Sequence, residues 1–426
     1  MCAKQNKTNR FVNPFTLYLI SILLGVASGL SDLSWLHSLG TLVSDIFIRI
    51  FRCISLPIIA LSLIVTLSGY STEGTMKKLW QRIIFYTLST TLLAATVSCI
   101  LFIVIHPAPV NTLSHVVQAP ITSEKASYTQ HLASIIPSNI FAPFIDYQVM
   151  AVLLVGIIIG IAIRYIPEQE PRKTIFLFFK GLHGLFLVIT KWVVAIIPIG
   201  LYGFITLTVI QLRDGMTIGG IGQYLTVIVL ANIIQGLIIL PIWLRFNNIR
   251  PFKTLAKMMP ALSVAFFSKS SAGTLPVTID TAEKNLGISS KISRLVLPLC
   301  TSINMNGCAA FIFATVIYLM QNHGIEITFT KMLIWIVVAT VAAIGNAGVP
   351  MGCFFLSASL LTSMNVPITL MGVILPFYGI IDMIETALNV WSDSCVATVI
   401  NEKMKESEVD VNIPEEIPLA SIAAEK

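Results

Sequence analysis

The chain has 426 residues, 55% of them hydrophobic and 11% charged, with 27 Lys and Arg against 21 Asp and Glu for a formal charge of +6. Soluble domains carry about 25% charged residues, so this balance, with a mean hydropathy of +0.85, excludes an ordinary soluble protein and points to a polytopic membrane protein. The seven cysteines stand singly, with no CxxC pair and no His at ligand spacing. Neither a disulfide framework nor a structural zinc is expected from that arrangement.

Apolar runs near 14–30, 41–68, 83–106, 149–166, 184–209, 221–244, 294–320 and 367–400 each read as a helix able to cross about 30 Å of hydrocarbon. The first follows MCAKQNKTNR without a small-residue cleavage site, so it reads as an uncleaved helix. With the N-terminus inside, twenty Lys and Arg fall on the cytoplasmic side and three, Lys125, Arg213 and Lys331, on the other. Arg49, Arg52, Lys191 and Lys269 lie in or beside apolar segments. This positive-inside bias puts both termini, including the acidic 401–426 tail, in the cytoplasm, and it accounts for the net charge without a nucleic-acid partner.

Two long segments are broken by Gly, Pro and small polar residues. PALSVAFFSKSSAGTLPVTID (260–280) has Ser268, Ser270, Ser271, Gly273 and Pro276 at its middle, and VAAIGNAGVPMGCFFLSASL (341–360) is interrupted at Gly345, Asn346, Gly348 and Pro350. Unwound backbone at membrane depth is tolerated only where it lines a cavity or is buried in protein. Each segment fits a hairpin that enters, turns and leaves on one side, near 255–280 and near 335–364. The charge alternation makes them enter from opposite faces, which is the pattern of inverted repeats around a midplane site in secondary transporters.

The last apolar run, YGIIDMIETALNVWSDSCVATVI, carries Asp382, Glu385, Thr386, Asn389 and Asp393. Their offsets of 0, 3, 4, 7 and 11 return each side chain to within an arc of roughly 100° at 3.6 residues per turn. A charge at the bilayer centre costs about 2.5–3.5 kcal/mol on insertion scales. Three carboxylates on one stripe therefore mark a site facing protein, cations or a polar cavity.

SKSSAGTLP (268–276), LPLCTSINMNG (297–307), IGNAGVP (344–350) and DMIETALNVWSD (382–393) resemble, in order and spacing, the four signature motifs of the dicarboxylate/amino acid:cation symporters, the glutamate-transporter family. IIPSNIF (135–141) and IIPIGLYGF (196–204) are weaker matches. The resemblance implies an all-α polytopic protein with eight transmembrane helices, two re-entrant hairpins and a homotrimer in the plasma (bacterial inner) membrane. It implies a scaffold from 14–72 and 107–220, and a transport domain from 77–106 and 221–400 that slides like an elevator. It implies no enzyme activity and no cofactor beyond sodium as the coupling ion.

By the same resemblance, Asp382 would bind a substrate α-ammonium and Asn389 its α-carboxylate, with Thr386 on the same face. Ser270, Ser271 and the backbone N–H groups of Gly348 and Val349 would meet the carboxylate from the two hairpins. Asp393, Asn389, Asn304 and the carbonyl of Cys300 would hold one sodium. A second would use Ser302, Asn346 and carbonyls near Ala343 and Ile344, and a third Thr90, Thr91 and Asn306. For the threonines, the residues alone favour a hydroxyl bonded back to the i−4 carbonyl.

Four positions depart from the acid-transporting members. Glu385 stands where they carry an arginine, Cys308 where they carry a threonine, and Asn306 and Tyr378 replace acidic residues. A carboxylate in place of a guanidinium reverses the charge that would clasp an acidic side chain. The reading is therefore a cation-coupled symporter of a neutral or cationic amino acid. A glutamate, aspartate or dicarboxylate carrier is the rival, and an ion channel is the alternative of another class. Lys269 either neutralises Glu385, which suits a neutral substrate, or leaves it open to a cationic one. An ion pair of Lys269 with Asp382 would remove the amine site altogether.

Overall fold

The computed structural model describes residues 14–68, 75–110, 136–146, 148–213, 219–346, 348, 350–364 and 366–406, and it is all-α, with no strand among them. Helices α1 (Pro14–Leu30), α2 (Ser34–Ser68) and α3 (Thr75–Ile105) are followed by the single turn α4 (Ala142–Ile145), then α5 (Val149–Arg164), α6 (Gln169–Ala195) and α7 (Ile197–Arg213). Next come α8 (Gly219–Ile234), a π-helical turn (Gln235–Ile239) and α9 (Leu240–Phe246). The C-terminal part holds α10 (Pro251–Ser268), α11 (Ser271–Thr281), α12 (Ser290–Ile303), α13 (Asn306–Asn322), α14 (Phe329–Ala343), α15 (Gly352–Ser363) and α16 (Thr369–Glu406). Helices predominate because hydrocarbon cannot hydrogen-bond an exposed peptide group.

Six stretches among the described residues are long and apolar enough to cross a bilayer: Leu79–Ile105, Gln169–Val193, Gly220–Phe246, Ser290–Asn322, Phe329–Asn346 and Leu370–Lys405. Shorter apolar helices include Leu17–Leu30, Leu56–Ser68, Ala151–Arg164 and Ile197–Arg213. One expected span is divided. The apolar run 184–209 crosses a turn at Ile196 between α6 and α7. Pro198 has no N–H to donate to the preceding turn of α6, so the ladder is interrupted and α7 starts afresh at Ile197, with Pro198 in its first turn.

Two groupings emerge from the packing. Helix α2 lies against α5, α6 and α7, and α1 lies against α7. Arg213 ties the last pair, donating to the carbonyls of Gly29, Leu30 and Ser31 at the end of α1 and to Asp32 Oδ1 at 2.7 Å. That hydrogen bond and the guanidinium charge hold the Asp32 carboxyl below its ordinary range. In the other group α13 is enclosed by α3, α8, α14, α15 and α16. Every residue from Asn306 to Met320 is buried, as a helix that is apolar all round requires. Helix α6 instead leaves Phe178, Leu185, Val188 and Trp192 exposed, an apolar surface.

Three chain breaks position the site. At the first, α10 ends at Ser268, Lys269 takes a left-handed conformation (φ 56°, ψ 25°) and α11 begins at Ser271. The two arms then pack side by side, so the segment doubles back. At the second, α14 gives way to a 3-10 turn (Ile344–Asn346), and positive φ at Gly348 (63°) and Met351 (65°) leads into α15. Both arms of this segment pack on α13. The third lies between α12 and α13, where Asn304 and Met305 leave helical geometry (ψ 66° at each).

Candidate functional site

The polar stripe of α16 faces inward along its whole length. Asp382, Glu385, Thr386, Asn389 and Asp393 are all at most 5% exposed. Met351, held at positive φ, turns its backbone N–H to Asp382 Oδ2 at 3.2 Å. Tyr378 Oη donates to Glu385 Oε2 at 3.3 Å, while Glu385 Oε1 is buried without a hydrogen-bond partner. Thr386 bonds back to the Asp382 carbonyl at 2.7 Å. Asn389 accepts from Gly307 N at 2.9 Å and directs Nδ2 toward Cys308 Sγ at 3.4 Å.

Below this level the break between α12 and α13 feeds a continuous polar network. Asn304 donates from Nδ2 to Asp393 Oδ1 at 3.0 Å and to Ser392 Oγ at 2.8 Å. Its Oδ1 accepts from Thr90 Oγ1 at 2.9 Å and from Asn306 Nδ2 at 3.2 Å. Asn306 also donates to Ser392 Oγ and accepts from Gln235 Nε2 at 3.3 Å. Gln235 reaches the Thr90 carbonyl as well, at 3.0 Å, and Thr301 Oγ1 lies 3.5 Å from Asp393 Oδ2. The Cys300 carbonyl accepts from Asn304 N at 2.8 Å. This is a cluster of hard oxygen donors around one buried carboxylate, the chemistry a small hard cation takes.

The tips of the two broken segments touch. Ser270 caps α11 by accepting from Gly273 N at 3.0 Å, and its hydroxyl donates to the Gly348 carbonyl at 3.2 Å. Ala272 N reaches the same carbonyl at 3.3 Å. Ser271 is buried at the start of α11. Asn346, expected beside a cation, instead sends Nδ2 to Cys308 Sγ at 2.9 Å.

The expected residues do not all converge. Thr90 joins the Asn304 network while also bonding back to the Tyr86 carbonyl at 3.0 Å. The Thr91 hydroxyl is buried without a partner. Ser302 is half-buried and joins none of these bonds. Val349 lies outside the described residues. Lys269 makes no close ion pair with Glu385 or Asp382: its Nζ lies beside Gly379, and none of the ion pairs among the described residues includes Asp382, Glu385 or Asp393, although the Lys269 charge still acts on the Asp382 carboxylate. The expectation that the cysteines stand singly, with no disulfide framework, also fails at one pair, because Cys308 and Cys353 are joined as a disulfide. Forty-five residues separate them in sequence, and only the packing of α15 on α13 brings them together.

Gln235, Ser392, Thr301 and Cys353 are site residues that motif reasoning passed over. Gln235 carried a usable signal, as one of two amides with Asn232 in the apolar run LANIIQGLIIL, since a polar side chain inside a span is costly unless it has work to do. It sits on the π-helical turn, whose loosened ladder also frees the Gly236 carbonyl to accept from Trp391 Nε1 at 3.0 Å.

Comparison with known proteins follows the same lines. The model of the "Sodium:dicarboxylate symporter family" matches residues 15–403. The chain is 25% identical to the "Neutral amino acid transporter B(0)" of Oryctolagus cuniculus, covering 99% of this chain and 88% of the relative, and 25% identical to that of Homo sapiens, covering 99% and 86%. The "Neutral amino acid transporter A" of Homo sapiens is 26% identical over 60% of this chain and 48% of its own length. These proteins are transporters rather than enzymes, as the sequence leads one to expect. With its apolar helices, its buried stripe and a match over nearly its whole length, the chain is a multi-pass membrane protein and belongs to the sodium:dicarboxylate symporter family.

Proposed function

We propose that this protein is a sodium-coupled symporter of amino acids with neutral side chains. The observation that carries the reading is the pair of buried carboxylates Asp382 and Asp393 on α16, neither of which is in an ion pair among the described residues. Burying a charge without a close partner costs on the order of several kcal/mol, and a transported ammonium and a sodium would supply one positive charge to each. Asp382 would take the α-ammonium, with the hairpin tips at Ser270, Ser271 and Gly348 holding the α-carboxylate. Asp393, with Asn304, Thr301, Ser392 and Thr90, would take sodium. Glu385 and Cys308 would face the substrate side chain and reject an acidic one. The names of the relatives, neutral amino acid transporters, support the same substrate class.

The wider arrangement belongs to this proposal: eight spans with re-entrant hairpins at α10–α11 and α14–α15, cytoplasmic termini and a homotrimer. The α1, α2 and α5–α7 group would be the scaffold against which the α3 and α8–α16 group carries its cargo by an elevator motion. A second reading, a cationic side chain, is favoured by the unpartnered Glu385 Oε1. Uptake into proteoliposomes across an amino-acid panel, with sodium and proton gradients imposed separately, tests the coupling ion and the substrate class. Sodium-driven uptake of neutral amino acids is expected. Equal uptake driven by protons alone, or preferential uptake of aspartate or a dicarboxylate, would overturn the reading.

A further inference from the structure

The Cys308–Cys353 disulfide ties together two of the helix breaks beside the buried stripe. Cys308 stands in the first turn of α13, next to Gly307, whose N–H donates to Asn389 Oδ1. Cys353 stands in the first turn of α15, two residues after Met351, whose N–H donates to Asp382 Oδ2. Their Cα atoms are 5.5 Å apart, an ordinary disulfide separation. Nothing in the transport reading uses Cys353 or this bond. We propose that Cys308 and Cys353 form a reversible redox site: as a disulfide they latch the 344–351 segment over Asp382, and as two thiols they let it lift. The latch is read from these contacts alone, and only its effect on uptake rests on the proposed function.

The other fastenings described for this segment are hydrogen bonds. The Gly348 carbonyl accepts from the Ser270 hydroxyl at 3.2 Å and from Ala272 N at 3.3 Å. Met351 N reaches Asp382 at 3.2 Å, and Asn346 Nδ2 reaches Cys308 Sγ at 2.9 Å. Hydrogen bonds can be traded for water or a ligand as a segment moves, so each holds only by the difference between its partners. A covalent bond cannot be traded in this way. Asp382 is 4% exposed, so a solute reaches it only after part of its cover moves. Fixing Cys353 to α13 immobilises the end of the segment from which Met351 covers Asp382. The bond spans 45 residues, the whole of α14 among them, so it fastens one element to another rather than closing a local turn.

The chemistry is thiol–disulfide exchange with a small-molecule disulfide as oxidant. The two cysteine sulfurs join, two electrons pass to the small disulfide, its S–S bond breaks, and it leaves as two thiols carrying the two cysteine protons. A small dithiol reverses the step. Asn346 Nδ2 and Asn389 Nδ2 both point at Cys308 Sγ, at 2.9 and 3.4 Å, and would hydrogen-bond the charged sulfur through which exchange passes. Each cysteine is 1% exposed, so small reagents fit the task and bulky ones do not.

The test uses the purified full-length protein without substrate, with Cys2→Ser and Cys53→Ser removing a cysteine of the N-terminal segment and the exposed one. One sample is oxidised with glutathione disulfide and one reduced with dithiothreitol. Peptide mass spectra after alkylation should show Cys308 and Cys353 modified only in the reduced sample. Amide hydrogen exchange across 344–356 should be about tenfold faster in that sample, with α5 and α7 unchanged, as local opening requires. In proteoliposomes, oxidised protein should take up amino acids about tenfold more slowly than reduced protein, as expected when a covering segment gates turnover. Cys353→Ser should bring its own oxidised-to-reduced ratio to unity. If that variant does not stay monodisperse, Cys353→Ala replaces it, and the hydrogen exchange decides in either case. Failure of the pair to form a disulfide, equal exchange in the two samples, a rise spread evenly over all helices, or a redox response that survives in Cys353→Ser would overturn the proposal. A protein that transports no amino acid in either state would count against the proposed function, and the hydrogen exchange would still decide the latch.

Discussion

The Ser270 hydroxyl donates to the Gly348 carbonyl at 3.2 Å, joining two helix breaks that lie 78 residues apart in sequence. Each break alone leaves peptide groups without helical partners, and here the two satisfy one another in the middle of the protein. On the proposed reading, a substrate carboxylate drawn to the Ser270 hydroxyl would displace this contact, which would make the pair the point where cargo and closure meet.

Asp393→Asn is expected to shift sodium-driven uptake to much higher sodium concentrations. The variant keeps the size of the side chain but removes the only charge in the Asn304–Ser392 network. Hydrogen bonds and contacts to a charged group are worth about 1.5–3 kcal/mol, so sodium affinity should fall about 10- to 100-fold. Initial uptake rates over a range of sodium concentrations measure this. An unchanged half-saturation would show that sodium binds elsewhere.

Asp382→Asn should weaken every amino-acid substrate by a common factor, about 10- to 100-fold from the same range, because the α-ammonium is shared by all. Calorimetry on a panel of amino acids in saturating sodium is the measurement. A change in preference at constant overall affinity would mean that Asp382 reads the side chain instead.

Glu385→Arg combined with Cys308→Thr is expected to install aspartate or glutamate binding. Two carboxylates about 4 Å apart repel by roughly 4 kcal/mol at an effective dielectric of 20, whereas arginine forms a bidentate pair with a carboxylate. The structure keeps Lys269 out of any ion pair with Glu385, so the repulsion in the parent protein is not relieved from that side. Micromolar aspartate binding by the unsubstituted protein would sink this argument.

Gly348→Ala should destabilise the folded protein by about 1–3 kcal/mol, the usual cost of a side chain in a disfavoured backbone region. Its φ is 63°, and an added Cβ would lie 3.0 Å from the Thr301 carbonyl oxygen and 3.3 Å from Ala272 N. Gly324→Ala supplies the control, since its φ is 76° with nothing within 4 Å. Thermal unfolding in detergent should show the larger drop for Gly348→Ala. Equal drops would assign the effect to φ alone and remove the close approach from the account.

The breaks and the stripe were legible because both are local. Clusters such as SKSS, NMNG and GNAG cannot continue an apolar helix, and the five polar residues of α16 repeat at helical spacing within a dozen positions. Three features were not legible, each because it depends on distant elements. Cys308 meets Cys353 only through the packing of α15 on α13. Gln235 reaches Asn306 only because α8 and α13 are neighbours. Lys269 carried two opposite readings of Glu385, and its actual place beside Gly379 follows from a left-handed backbone that no pattern announces. The turn at Ile196 was different: Pro198 marked it, but continuous hydrophobicity from 184 to 209 concealed it.

The π-helical turn at Gln235–Ile239 means that this helix carries one surplus residue relative to an unbroken α-ladder. Excising a single residue there would let the ladder close and swing one half of the helix by about 100° relative to the other. Gln235 would lose its aim at Asn306, and Trp391 would lose the Gly236 carbonyl. The register of a helix that supplies no charged ligand is therefore a tuning point for the site, and length changes of one residue there should be far less tolerated than conservative substitutions of the same residues.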